Sequence, residues 1–77
     1  MDIKTFIENM ADQFDDIDVA QLTPETKFKD LDEWSSLVAL SVIAMVDEEY
    51  DVEIKGDDIR NNDTIEDLFN AVKAKQE

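Results

Sequence analysis

Ser35 and Ser36 stand where a charged loop gives way to an apolar run, in Leu31-Asp32-Glu33-Trp34-Ser35-Ser36-Leu37-Val38-Ala39-Leu40. A serine at such a junction has two kinds of chemistry open to it. Its oxygen can satisfy an orphan backbone N–H as a helix N-cap. Exposed and pointing outward, the same hydroxyl can also carry a covalent group. A phosphate fixed there would be stabilised by the partial positive charge and free N–H groups of the helix behind it. The two roles are compatible, since a capping serine can be the modified one. Triad chemistry is closed to both serines. The chain has neither histidine nor cysteine, so no Ser-His or Cys-His nucleophile can be assembled from it. Carboxylate pairs arise by chance on a chain with 21 acidic residues. The sequence argues against an enzyme.

Other binding motifs fail residue by residue. The best register for a calcium loop starts at Asp51 and puts Gly56 at the turn, but Lys55 then falls fifth and Asn62 twelfth. Those positions need an oxygen ligand and a bidentate Glu, so only loose, weak divalent binding to acidic helix ends is expected. A single glycine excludes a Gly-rich phosphate loop, and zinc is implausible without His or Cys.

The elements that must position the serines are helical. Ile3, Phe6, Ile7, Met10 and Phe14 recur at helical spacing, which predicts an amphipathic helix over 2–15 capped by Asp2. Residues 16–35 lack that period and hold the only proline, in Thr23-Pro24-Glu25. A connection near this length without structure would be unusual, so a helical turn around Pro24 is expected. Ile17, Val19, Leu22, Phe28 and Leu31 would pin it to the core. A second helix is predicted over 36–50, with Ala39, Val42, Ile43, Val46 and Tyr50 on one stripe. Leu37, Val38, Leu40, Ala44 and Met45 are apolar as well. A small domain cannot bury a helix on every side, so part of this surface must meet a partner, a ligand or a second copy. Residues 51–54 read as extended. Gly56, Asp57 and Asp58 read as the cap of a short third helix ending near Asn61 and Asn62. Asp63 and Glu66 form a capping-box-like pair before a last helix with Ile65, Leu68, Phe69 and Val72 inward. Lys73 and Lys75 sit near its C-terminus, where the helix dipole favours cations. The sum is an all-α fold, a small bundle of three main helices plus one short third helix, in one domain over 1–77.

Seventy-seven residues bury only about 60% of the surface of the unfolded chain, leaving no depth for a walled-in active site. The net charge of -14 excludes nucleic acid as a natural partner and would be repelled by an anionic membrane. Basic protein surfaces are the natural complement, because opposite charge speeds encounter. No apolar run is long enough to span a bilayer. With no cysteine staples and no leader-like opening, a soluble cytoplasmic protein is expected. An unmodified acidic helical interaction module is the alternative reading of charge and second helix.

Ser36-Leu37 at the head of an acidic helix resembles the Asp-Ser-Leu motif of acyl carrier proteins. The likeness continues in order and spacing through Leu22-Thr23-Pro24-Glu25-Thr26 with Phe28, Asp47-Glu48-Glu49-Tyr50, Val52-Glu53-Ile54 and Asp63-Thr64-Ile65-Glu66-Asp67-Leu68, covering nearly the whole chain. The resemblance implies a four-helix bundle in which Ser36 carries 4'-phosphopantetheine, installed from coenzyme A by a phosphopantetheinyl transferase. The arm's thiol would hold acyl or aminoacyl groups as thioesters. Acyl-loading and acyl-transfer enzymes of a lipid, fatty acid, polyketide or other specialised pathway would then receive them. Carried over by position, Leu37, Leu40, Ser41, Ala44 and Glu48 would face partner enzymes. Ala39, Val42, Ile43, Val46 and Tyr50 would face the core or an acyl pocket, in a monomer. Ser35 stands where the family usually has Asp, and Val38 and Ser41 where fatty-acid carriers often have acids. With Trp34 before the serine, these departures look like a specialised stand-alone carrier whose partners grip more by apolar contact.

Overall fold

The structure, a computed structural model, describes residues 2–14 and 17–76. Helix α1 (Ile3–Ala11) starts where expected, because the Asp2 carboxylate accepts the Lys4 N–H at 3.2 Å. It ends earlier than the predicted 2–15. From residue 13 the bonds tighten to i−3 partners, Gln13 N to Met10 O at 3.0 Å and Phe14 N to Ala11 O at 3.1 Å. Asp12 lies at the helix's negative end, where a further carboxylate disfavours continuation. Phe14 is nevertheless buried from this turn. Asp15, the expected last residue, lies outside the described residues.

The long connection is ordered differently from the expectation. Its helical turns are two 3₁₀ segments, Val19–Gln21 and Phe28–Asp30, on either side of Pro24. Pro24 itself occupies a β-turn closed by Thr26 N to Thr23 O at 3.0 Å, where its fixed φ is an asset. The loop then caps a distant helix. Ile65 N donates to Thr26 O at 3.1 Å and Glu66 N to Pro24 O at 2.9 Å. Two N–H groups that helix α4 (Ile65–Gln76) would leave orphaned are thereby satisfied.

Helix α2 (Ser36–Tyr50) has the predicted bounds. Short α3 (Gly56–Arg60) follows an extended link in which Val52 and Ile54 are buried and Glu53 is exposed. Gly56 does not cap it. The Asp58 carboxylate reaches back to the Lys55 N–H at 2.9 Å, and no other atom comes within 4 Å of where a Gly56 Cβ would lie. The reciprocal cap of α4 sits one residue later than Asp63 and Glu66. Thr64 Oγ1 accepts the Asp67 N–H at 3.1 Å, and Asp67 Oδ2 accepts the Thr64 N–H at 3.3 Å. Asp63 instead faces Lys29 Nζ at 3.5 Å.

These elements make an all-α bundle around one core. Phe6 stacks against Tyr50 and Phe69 at centroid distances of 5.7 and 5.5 Å, tying α1 to α2 and α4. Val42, Val46, Ile54, Ile65, Leu68 and Val72 complete its centre. Asn9 Nδ2 donates to Tyr50 Oη at 3.0 Å. Burial pushes the Tyr50 phenol above its ordinary value. The Asn9 bond opposes that push, and Glu49 and Asp2 add to it. The native state thus favours the protonated phenol, a contribution complete below about pH 10 and lost as pH rises through and above that value.

Helix α2 ends badly in electrostatic terms. Asp47, Glu48, Glu49 and Asp51 crowd its negative end, with no basic residue in the last turn. Asp51 is also left-handed, with φ 56 and ψ 39, a region costly for a residue with a Cβ. Asp51→Gly removes both penalties and should stabilise the protein by about 0.5–1 kcal/mol. Thermal unfolding would then shift up by about 2–8 °C. A melting temperature unchanged or lowered would show that the αL cap is not under strain.

Candidate functional site

The two serines divide the roles that the sequence left open. Ser35 is the N-cap of α2, extended at φ -153 and ψ 172, and its Oγ accepts the Val38 N–H at 3.3 Å. Ser36 is the first helical residue and is exposed. Its hydroxyl makes no hydrogen bond among the described residues. The N-cap site binds its side chain locally, whereas the next position projects from the helix head toward solvent. Trp34 fixes the approach by packing edge-on to Phe28 at 5.2 Å and tilted against Phe14 at 6.2 Å.

Ser36 opens onto a groove of about 520 Å³ between α2 and α3. Trp34, Ala39, Ile43 and Ile59 give it an apolar lining, and Lys29 and Arg60 bring positive charge. Two of only seven basic residues therefore border the same groove as the exposed hydroxyl. Lys29 is held there by donating to the Arg60 carbonyl at 2.9 Å and by its ion pair with Asp63. Arg60 pairs with Asp57 one turn back. Sequence reading missed both cations. Lys29 lies in the aperiodic connection and Arg60 at the end of a one-turn helix, so no periodicity joins them to Ser36. Their scarcity on an acidic chain was the only available signal.

The α2 residues separate into three groups. Leu37 and Leu40 are 77% and 63% exposed, and Ala44 and Glu48 are exposed beside half-buried Ser41. Val42 and Val46 are fully buried, while Ala39, Ile43 and Tyr50 are half-buried. Met45, grouped by sequence with the surplus apolar surface, is buried, and Val38 packs partly on the core. The inward stripe is rotated toward Met45 because α1 covers that side. Helix α3 is too short to cover Ala39 and Ile43, which are left as groove wall.

A group held through a phosphate fits these residues. The helix head offers N–H groups and partial positive charge, the flanking cations add to it, and the apolar lining suits an aliphatic chain. The sequence matches the phosphopantetheine attachment site family over residues 5–72, and the chain belongs to that family. It is accordingly a phosphopantetheine carrier, whose prosthetic group is covalent 4'-phosphopantetheine. Carriers of this class are themselves non-catalytic and work with phosphopantetheinyl transferases and biosynthetic enzymes. No solved structure matches the chain. Among the described residues, no group of three or more acidic side chains is placed to hold a metal ion, and no helix is long and apolar enough to cross a membrane.

Proposed function

We propose that Ser36 is the attachment point, and that residues 1–77 form one carrier domain. It presents acyl or aminoacyl thioesters to enzymes of a lipid, polyketide or other specialised pathway. The observation that carries this reading is the division between neighbours: Ser35 Oγ is engaged in capping, and the exposed Ser36 hydroxyl is free to react. In the loading step the Ser36 oxygen attacks the pantetheine-side phosphorus of coenzyme A, loses its proton, and the nucleotide portion leaves as the bisphosphate. Once attached, the arm supplies the thiol that this chain lacks. The chain's own residues orient the arm and shield it, and make or break no bonds of the cargo. Ala39 and Ile43 line the groove beside Ser36 and would meet the arm or the start of its cargo; Val42, Val46 and Tyr50 back them from the core side. The protein acts as a cytoplasmic monomer.

Intact mass after incubation with coenzyme A and a broad-specificity phosphopantetheinyl transferase tests the reading. A gain of one phosphopantetheine is expected. An unchanged mass would leave an unmodified acidic interaction module as the better description.

Leu37, Leu40, Ser41, Ala44 and Glu48 form the surface that partner enzymes meet. Leu40→Ala should cost under about 0.5 kcal/mol, as an exposed surface change, while slowing transfer to and from the arm. A stability loss of about 2 kcal/mol, the scale of a core truncation, would place Leu40 in the interior instead.

A further inference from the structure

On a chain with 21 acidic and 7 basic residues, the groove beside Ser36 has the opposite balance. Its charged lining residues are Lys29 and Arg60, and no carboxylate lines it among the described residues. Asp32 and Glu33 stand next to Trp34 in sequence but are exposed outside it. Elsewhere the surface follows the composition. The groove between α1 and α2 carries Asp12, Glu48 and Glu49, and the one between α1 and the first 3₁₀ segment sets Glu8 beside Lys4.

Both cations have donors to spare. Lys29 is half-buried, and its ammonium is placed by the Arg60 carbonyl at 2.9 Å and by Asp63 at 3.5 Å. An ammonium has three N–H donors, so at least one is left. Arg60 is exposed and pairs with Asp57 through Nη2. A guanidinium has five donors in a planar fork that suits a phosphate oxygen pair. The head of α2 adds to them. Val38 N–H goes to Ser35 Oγ and Ala39 N–H to Ser35 O at 2.9 Å. The Ser36 and Leu37 N–H groups have no partner among the described residues, and the first turn holds no acid.

We propose that Lys29 and Arg60 hold the phosphodiester of the Ser36-linked arm and so lay the arm back along the α2–α3 groove, over Trp34 and Ile43. The diester would otherwise add a negative charge to a chain already at -14, and these side chains meet that charge where it is fixed. Asp57 is the competitor, since it and the diester call on the same guanidinium. The proposal rests on the carrier reading and deepens it by assigning two residues of this chain to the arm.

The test is the phosphorus NMR resonance of loaded protein, whose single phosphorus is the diester. Arg60→Gln should move it toward its position in the same protein unfolded by urea. Asp57→Asn, which frees Arg60, should move it the other way. Both variants break the same ion pair, so a merely structural effect would send them in one direction. Lys73→Gln removes an equal charge from exposed α4 and should leave the resonance in place. Raised salt should bring wild type toward Arg60→Gln as the charges are screened. Trp34, the only tryptophan, gives a second readout: acrylamide should quench it less after loading in wild type, and equally before and after loading in Arg60→Gln. Lys29 also ties α3 in place, so Arg60 carries the comparison. A resonance unmoved by Arg60→Gln, or moved the same way by both variants, in protein whose mass shows the arm attached, would overturn this inference and leave the carrier reading standing. A wild type that gains no arm would overturn both.

Discussion

Ser36→Ala protein, given coenzyme A and a broad-specificity transferase, is expected to keep its unmodified mass and its fold. The loss of loading should be complete if Ser36 is the attachment point proposed above, because the change then removes the oxygen that would form the phosphodiester. The fold should survive because that hydroxyl makes no hydrogen bond among the described residues and the side chain is exposed. A change of under about 0.5 kcal/mol is typical of such a site. Ser35→Ala should behave in the opposite way. It should still load, but lose about 1 kcal/mol with the cap to Val38 N, and melt about 4–8 °C lower. Full-length mass spectrometry and thermal melts of the two variants form a crossed pair. Loading that persists in Ser36→Ala and vanishes in Ser35→Ala would move the attachment point by one residue.

Phe28→Ala should be the most damaging substitution in the connection that leads to the site. Phe28 is fully buried, and truncating a buried Phe costs about 3–5 kcal/mol. A chain of this length holds only roughly 4–12 kcal/mol in total. Most of its stability would go, at low salt above all, where the repulsion within a charge of -14 is least screened. The damage should reach the serines through Trp34, which loses its edge-on neighbour at 5.2 Å. Urea unfolding followed by helical circular dichroism gives the stability, and Trp34 emission, shifted to the red before global unfolding, reports the loosened loop. A loss below about 1.5 kcal/mol would mean that the connection is not anchored through this ring.

How much of this was legible depended on the range of the interaction. The bounds 36–50 of α2 could be read because a cap and a run of apolar residues are local signals. The apolar faces of α1 and α4 were legible because Ile3, Phe6, Ile7 and Met10 in the one, and Ile65, Leu68, Phe69 and Val72 in the other, recur at helical spacing. Where two local signals competed, reading failed by a residue or a turn. Asp63 looked like the cap of α4, but Lys29 draws it away and Thr64 caps instead. The stretch after Ala11 looked like helix, but Asp12 sits at the negative end of the α1 dipole.

The sequence by itself determined that this protein is acidic and helical, without triad chemistry, and with a pair of hydroxyls at the mouth of an over-apolar helix. Composition excludes residue types outright, and periodicity and caps act within a few positions. Only the tertiary structure decided which serine caps and which stands free, which way α2 turns its surplus apolar face, and that Lys29 and Arg60 come to the groove beside Ser36. The first turns on which of two adjacent residues begins the helix, a one-residue distinction that two neighbouring serines leave open; the others depend on side chains brought together from separate stretches of chain, or on a rotation set by what α1 covers and α3 is too short to cover.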